Sequence, residues 1–246
     1  MLHEKGVHMK KSVIFLLVAS VIFISLNSCA TSGLPGFGSE IGIQANPIPG
    51  GEDIRIPYTD NVSYFGYVQP GAAPDAVSNG KKMYYVYVWI PLVAPELGMR
   101  MVSPVPAGMA PTETDFVAAD YEAGKTDTTN YFDTWITLDR ANEVIMPADI
   151  ATKAATATWT NYGSNDDSSE LPAQPSGNKY NSVLRVVSEP SDPLKALVRG
   201  LYRIGFTTYK VGEVQGTFLA QIGAPIKIPG VQVSKTLEGL AKVVKD

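Results

Sequence analysis

The chain has 246 residues, 45% of them hydrophobic, with 22 Gly, 18 Pro and a formal net charge of −4, the profile of an ordinary globular protein with one sizeable core. A mildly acidic balance gives no electrostatic footing for nucleic acid. The two histidines, His3 and His8, lie ahead of an apolar leader and the single cysteine is Cys29, so the body of the chain offers no His base, Cys nucleophile, Cys/His zinc site or disulfide. Carboxylate and carbonyl oxygens remain for metal chemistry, which suits hard cations such as calcium. A carboxylate-only or Ser-Lys hydrolase is chemically open, but no motif argues for one and the chain reads as a non-enzyme.

Lys10 and Lys11 precede an apolar run over residues 13–26 that ends in Leu26-Asn27-Ser28-Cys29. This is the layout of a secretory signal peptide cut before Cys29, and the run is shorter than the ~20 residues a spanning helix wants. A lone cysteine there, after small Ser28 and with a large aliphatic residue three positions back, resembles the lipobox of bacterial lipoproteins. Cys29 is then the first mature residue and carries the acyl chains that tie the protein to a membrane. Cleavage removes three lysines and one glutamate, leaving 17 basic and 23 acidic residues. Either Met1 or Met9 is a workable start. Ala30, rather than aspartate, follows the cysteine, which favours outer-membrane sorting. The expected division is a signal peptide over 1–28, the acylated cysteine and a flexible Gly/Ser/Pro-rich tether over 29–50, and one domain over 51–246.

From Asp53 onward, short aromatic and β-branched runs are broken by Pro, Gly and Asn, and residues 53–58, 62–69, 83–90 and 99–102 read as strands. The run 83–90 has almost no polar side chain on either face, which makes it a central strand, with Pro91 as its stop; its tyrosines pack, each hydroxyl finding a partner at the core's edge. Residues 112–129 are a polar surface excursion with a weak helical pattern over 115–123. Strand character returns over 130–138 around Asp133, a carboxylate that is costly among apolar neighbours without a partner or an ion. A salt bridge or backbone hydrogen bond meets that need as well as a cation does. A helix follows over 148–157, then a polar loop from Asn161 through Asp166, Asp167 and Glu170. Adjacent aspartates in such a loop are ordinarily just solvated, and the order of an EF-hand loop is absent. Residues 182–188, 196–209 and 214–222 are strands, the last two joined as a hairpin by the Gly-containing turn 209–213. The end, 234–244, is a short helix capped by Ser234 with Leu237, Leu240, Ala241 and Val244 on one face, a face that packs on the domain in the simplest reading. The fold class is all-β, mainly an antiparallel β-sandwich with a few short peripheral helices; periodicity alone does not separate a jelly roll from a plain sandwich.

Five segments carry a likeness to a known family: YFGYVQPGAAPD from Tyr64, KKMYYVYVWIP from Lys81, FDTWI from Phe132, NKYNS from Asn178 and LVRGLYRIGFTTYKVGEVQGTF from Leu197. In these the chain resembles the major surface lipoprotein family of leptospires. The resemblance implies a jelly-roll sandwich, a lipid anchor, an outer-membrane, cell-surface location, and calcium bound by aspartates. It also implies adhesion to matrix proteins such as collagen, laminin and fibronectin, and binding of plasminogen; oligomeric state is left open. By motif, the family's calcium ligands fall on Asp133 and Thr134, on Asp166 and Asp167, and on the backbone carbonyl of Tyr180. Family members carry a longer run of aspartates where this chain has only the pair 166–167, an expected loss of affinity. Neighbours on a regular strand point to opposite faces, so Asp133 and Thr134 meet one ion only at a strand end or bulge. The leading expectation is a calcium-binding, lipid-anchored surface module that binds matrix polymers. The alternative is a structural envelope lipoprotein in which calcium only fixes a loop.

Overall fold

A computed structural model describes residues 62–225 and 228–245. The signal peptide, Cys29, the tether and the strand expected over 53–58 lie outside the described residues. In chain order the elements are β1 (Val62–Val68), β2 (Ala76–Ser78), β3 (Lys81–Val93), β4 (Glu96–Val102), β5 (Phe116–Val117), α1 (Tyr121–Gly124), β6 (Thr134–Ala141), α2 (Pro147–Lys153) with a 3-10 turn after it, β7 (Trp159–Asn165), β8 (Ser182–Val187), β9 (Val198–Thr208), β10 (Gly216–Gly223), β11 (Gln232–Ser234) and α3 (Leu237–Val243).

Eight of the strands are nested antiparallel partners: β1 pairs with β10, β3 with β9, β4 with β8 and β6 with β7. One sheet has the order β5-β1-β10-β4-β8, and the other β11-β3-β9-β6-β7 with β2 alongside β3. A long hairpin folded over on itself into two sheets is the jelly-roll form of the sandwich. The only parallel pairing among these ladders of the described residues is that of β5 with β1.

Period-2 alternation sends one side of each strand into the space between the sheets. Tyr84, Val86, Val88 and Ile90 of β3 meet Ile136 and Leu138 of β6, Tyr202, Ile204 and Phe206 of β9, and Phe218, Ala220 and Ile222 of β10 in one core. The outer faces are also partly covered. Phe65, Val102, Val183 and Leu219 lie under Tyr121 and Leu171, while Trp89 and Leu201 lie under Ile150, Ala154, Leu240 and Val244. Burial on both sides is why residues 83–90 read as a continuous apolar run. The apolar stripe of the last helix packs on the domain, as its spacing implies.

Several expectations are corrected. β9 and β10 do not form a hairpin; each belongs to a different sheet, and residues 209–215 carry the chain across. A Gly-containing turn permits a hairpin but does not choose the partner, and β3 and β1 offer longer apolar ladders. The polar stretch from Asn161 is not loop until Asp166: residues 159–165 form edge strand β7, where a polar outer face is tolerated. Residues 116–117 pair with β1 instead of turning helical, and only four residues around Tyr121 form a helix. Pro91 does not stop β3, which runs on to Val93 past a register shift after Ile90; the proline sits where the ladder is already interrupted. The last helix is capped by Thr236, whose hydroxyl accepts from Gly239 N at 3.0 Å, whereas Ser234 belongs to β11. The Tyr84 hydroxyl is buried without a hydrogen-bond partner among the described residues.

Phe218 is the centre of the aromatic packing, edge-on to Tyr64 at 5.4 Å and Phe132 at 6.3 Å, and 5.5 Å from Tyr84. Its ring lies over Gly66 across the β1–β10 ladder, so close that a Cβ on Gly66 would stand 2.2 Å from ring carbons. Gly66→Ala is therefore expected to destabilise the fold by about 1–3 kcal/mol through overpacking, read as a lower denaturant midpoint at unchanged slope.

Candidate functional site

β6 begins at Thr134, one residue after Asp133, at the end of the sandwich where the chain leaves β7 at Asn165 and enters β8 at Ser182. A strand end at this point is what a shared ion at Asp133 and Thr134 requires. Thr134 shares the inward face of β6 with Ile136 and Leu138 and is fully buried. From there it reaches the opposite sheet. Thr134 N donates to Tyr180 O at 3.0 Å, and Thr134 Oγ1 lies 3.1 Å from that carbonyl and 2.6 Å from Ser182 Oγ. Ser182 Oγ lies 2.8 Å from both Thr134 O and Asp166 O, and its single proton serves one of them at a time.

Asn165 fixes the turn that carries the aspartate pair. Its amide donates to Asp167 O at 2.9 Å and to Val183 O at 2.6 Å, while its Oδ1 accepts from Asp166 N at 3.0 Å. Gln174, also buried, donates to Ser103 O at 3.1 Å and to Phe132 O at 2.5 Å, holding the far part of the same segment against the residue that precedes Asp133. None of Asn165, Ser182 and Gln174 stands out in the sequence. Asn165 beside two aspartates is the available signal, since Asn side chains habitually close local backbone turns.

Asp133 is half-buried, and its Oδ1 is buried with no hydrogen-bond partner among the described residues. Burial, then the charges of Asp167 and Asp166, push its carboxyl up to about 6, against the pull of Lys81. The structure thus brings Asp133, Asp166 and Asp167 within electrostatic reach of one another. It does not draw them into a finished coordination shell: among the described residues no three Asp, Glu, His or Cys side chains converge on one metal position. Thr134 Oγ1 and Tyr180 O are engaged with each other. The donor set is all oxygen, as a hard cation needs, and the orphaned Asp133 Oδ1 fits a missing positive partner. Carboxylates would supply the charge, and the Tyr180 carbonyl, which also accepts from Thr134 N, would offer a free lone pair as the Thr134 hydroxyl turns to Ser182.

The class is that of a β-sandwich surface lipoprotein, because the family model described as "Lipl32: Surface lipoprotein of Spirochaetales order" matches residues 52–233. The chain belongs to the Lipl32 family. Membership implies a cell-surface, membrane-associated protein, and the family is not known as one of enzymes. No curated protein matches the chain. Among the described residues no helix is long and apolar enough to cross a membrane.

Two outcomes test the site's energetics. Thr134→Val keeps the shape but removes the hydroxyl that bridges Tyr180 O and Ser182 Oγ, both of which keep other partners, and is expected to cost about 0.5–1.5 kcal/mol in chemical denaturation. A carboxyl whose folded-state pKa stands at about 6, above the ~3.9 of an unstructured aspartate, holds its proton more tightly when folded. The stability it contributes is present below pH ~4 and lost as pH rises through 6. In chelator, Asp133→Asn is expected to remove that part of the decline and to melt above the parent protein at pH 7.

Proposed function

We propose that the protein is held on the outer membrane by an acylated Cys29 and binds calcium at the β6–β7–β8 end of its sandwich, and that this end serves adhesion to extracellular or matrix polymers. The calcium reading rests on one observation above the others: a buried, unpartnered carboxylate oxygen on Asp133 in the field of two further aspartates. A bare carboxylate in that position is unfavourable, and a divalent cation relieves both the missing partner and the repulsion. Asp133, Asp166 and Asp167 would hold the ion with the Tyr180 carbonyl and Thr134. The ion would supply charge neutralisation and a link between the start of β6 and the segment after β7. Partners of the adhesive kind implied by the family likeness are collagen, laminin, fibronectin and plasminogen.

A second reading has its own support. The segment 166–181 is already tied to the sandwich through Ser182, Asn165 and Gln174, so calcium acting only to lock that segment fits an envelope protein with a structural role.

The test is a melt of the full chain in detergent with calcium and with chelator, beside Asp133→Ala and Asp166→Ala. An ion bound only by the folded state stabilises by about 2.7 kcal/mol at a hundred times its Kd. The parent midpoint should rise with calcium, and neither variant should follow it. A parent midpoint indifferent to millimolar calcium removes the calcium reading. If the midpoint rises, binding to immobilised collagen, laminin, fibronectin and plasminogen with and without calcium separates the two readings: adhesion that needs calcium supports the first, and no binding under either condition supports the structural role.

A further inference from the structure

Lys81 opens β3, and its ammonium is held in place from several sides. It donates to Thr208 O at 2.9 Å and to Tyr209 O, and it lies 4.0 Å from the centroid of the Trp135 ring and 5.2 Å from that of Tyr209. The two rings are themselves stacked at 5.6 Å. A lysine so fixed is unlike the usual surface lysine, whose long stem samples many rotamers.

Its placement follows from register. Tyr84 pairs with Phe206, so continuing that ladder sets Lys81 opposite Tyr209. Thr134 pairs with Thr208, and Tyr209 N donates to Asp133 O at 2.9 Å, so Asp133 stands opposite Tyr209 on the other side. Lys81, Tyr209 and Asp133 therefore form one cross-strand row at the end of the sheet, about 10 Å wide from two strand spacings. A lysine stem spans much of that width. Asp133 and Asp166 are the two carboxylates that hold the Lys81 ammonium up against the desolvation that pulls it below its ordinary range.

We propose that Lys81 is the fixed internal counter-charge of the Asp133, Asp166 and Asp167 cluster, leaving it a formal excess of two negative charges and so setting it for one divalent cation. This rests on the calcium reading above and adds what determines the site's charge preference. With Lys81 present a divalent ion neutralises the cluster; without it the cluster favours a higher charge.

Lys81→Met and Lys81→Arg, in the full chain in detergent, are compared with the parent by terbium luminescence sensitised through Trp135 and Tyr209, with calcium as competitor. Removing one unit of positive charge near the ion is expected to tighten calcium roughly tenfold. Because the energy scales with the ion's charge, terbium gains more, and the terbium-to-calcium preference rises by about threefold. Lys81→Arg keeps the parent preference. Unchanged calcium affinity and unchanged preference in a folded Lys81→Met protein overturn the proposal. If no protein binds either ion, the calcium reading fails, and the counter-charge is then decided in chelator alone. A Lys81→Met melting loss that shrinks in an Asp133→Asn background supports it, and a loss of equal size in both backgrounds overturns it.

Discussion

The constraint on which the molecule depends is the nested pairing of its strands. Once β6 and β7 form the innermost pair, β4 with β8, β3 with β9 and β1 with β10 follow outward, and each successive pair is laid alternately on one sheet or the other. Most of these contacts join residues far apart in the chain, as Val62 with Ile222. Loop closure must precede the reward from such contacts, so the topology belongs to the slow-folding class. The core that holds it is aromatic as well as aliphatic. Phe218, seated over Gly66, joins rings from β1 and β3 and from the segment before β6, so the outermost pair and the approach to the innermost share one packing centre.

The same nesting gathers the site. The first residue of β6, the last of β7, the first of β8 and the last of β9 all arrive at one end of the sandwich, and there Thr134 and Ser182 join the two sheets through hydroxyls and carbonyls rather than through apolar contact. Polar groups in that position are tolerated because they satisfy one another. Gln174 Oε1 also lacks a partner among the described residues, but Asp133 is the charged exception. It stands on the outward side of the same strand end, short of a hydrogen-bond donor and close to like charges, and local favourability is sacrificed there in a way that ordinary packing would not retain.

Much of this was legible in the chain. Alternation and β-branched content located β1, β3, β4, β6, β8, β9 and β10, and the apolar run 83–90 gave its own burial on two sides. Pairing partners were not legible. The turn at 209–213 satisfies hairpin chemistry, yet sheet choice was decided by the long ladders available to β9 on β3 and to β10 on β1, a tertiary effect that overrides local propensity. The edge strand β7 was hidden for a related reason: with one side of its backbone unpaired among the described residues and its side chains largely polar, Asn161 to Asn165 carries the composition of a loop. At the site, Asp133 stood out because a carboxylate among aromatics is unusual. Lys81 did not, since a lysine at a strand start is ordinary in sequence, and only the register of three strands reveals what it faces.

The outer margins of the sandwich have a separate consequence. Among the described residues, β5 has two residues, and β2 and β11, which follow one another along β3, have three each. An incoming strand therefore meets brief and interrupted stretches of free backbone on these margins. Short edge strands are one of the means by which β proteins avoid edge-to-edge joining, and a protein confined to a membrane surface, where neighbours share two dimensions instead of three, meets its own copies often. On these two margins such a protein offers its copies little to join, and among the described residues the longer edges are confined to β7 and β8 at the opposite side of the sheets.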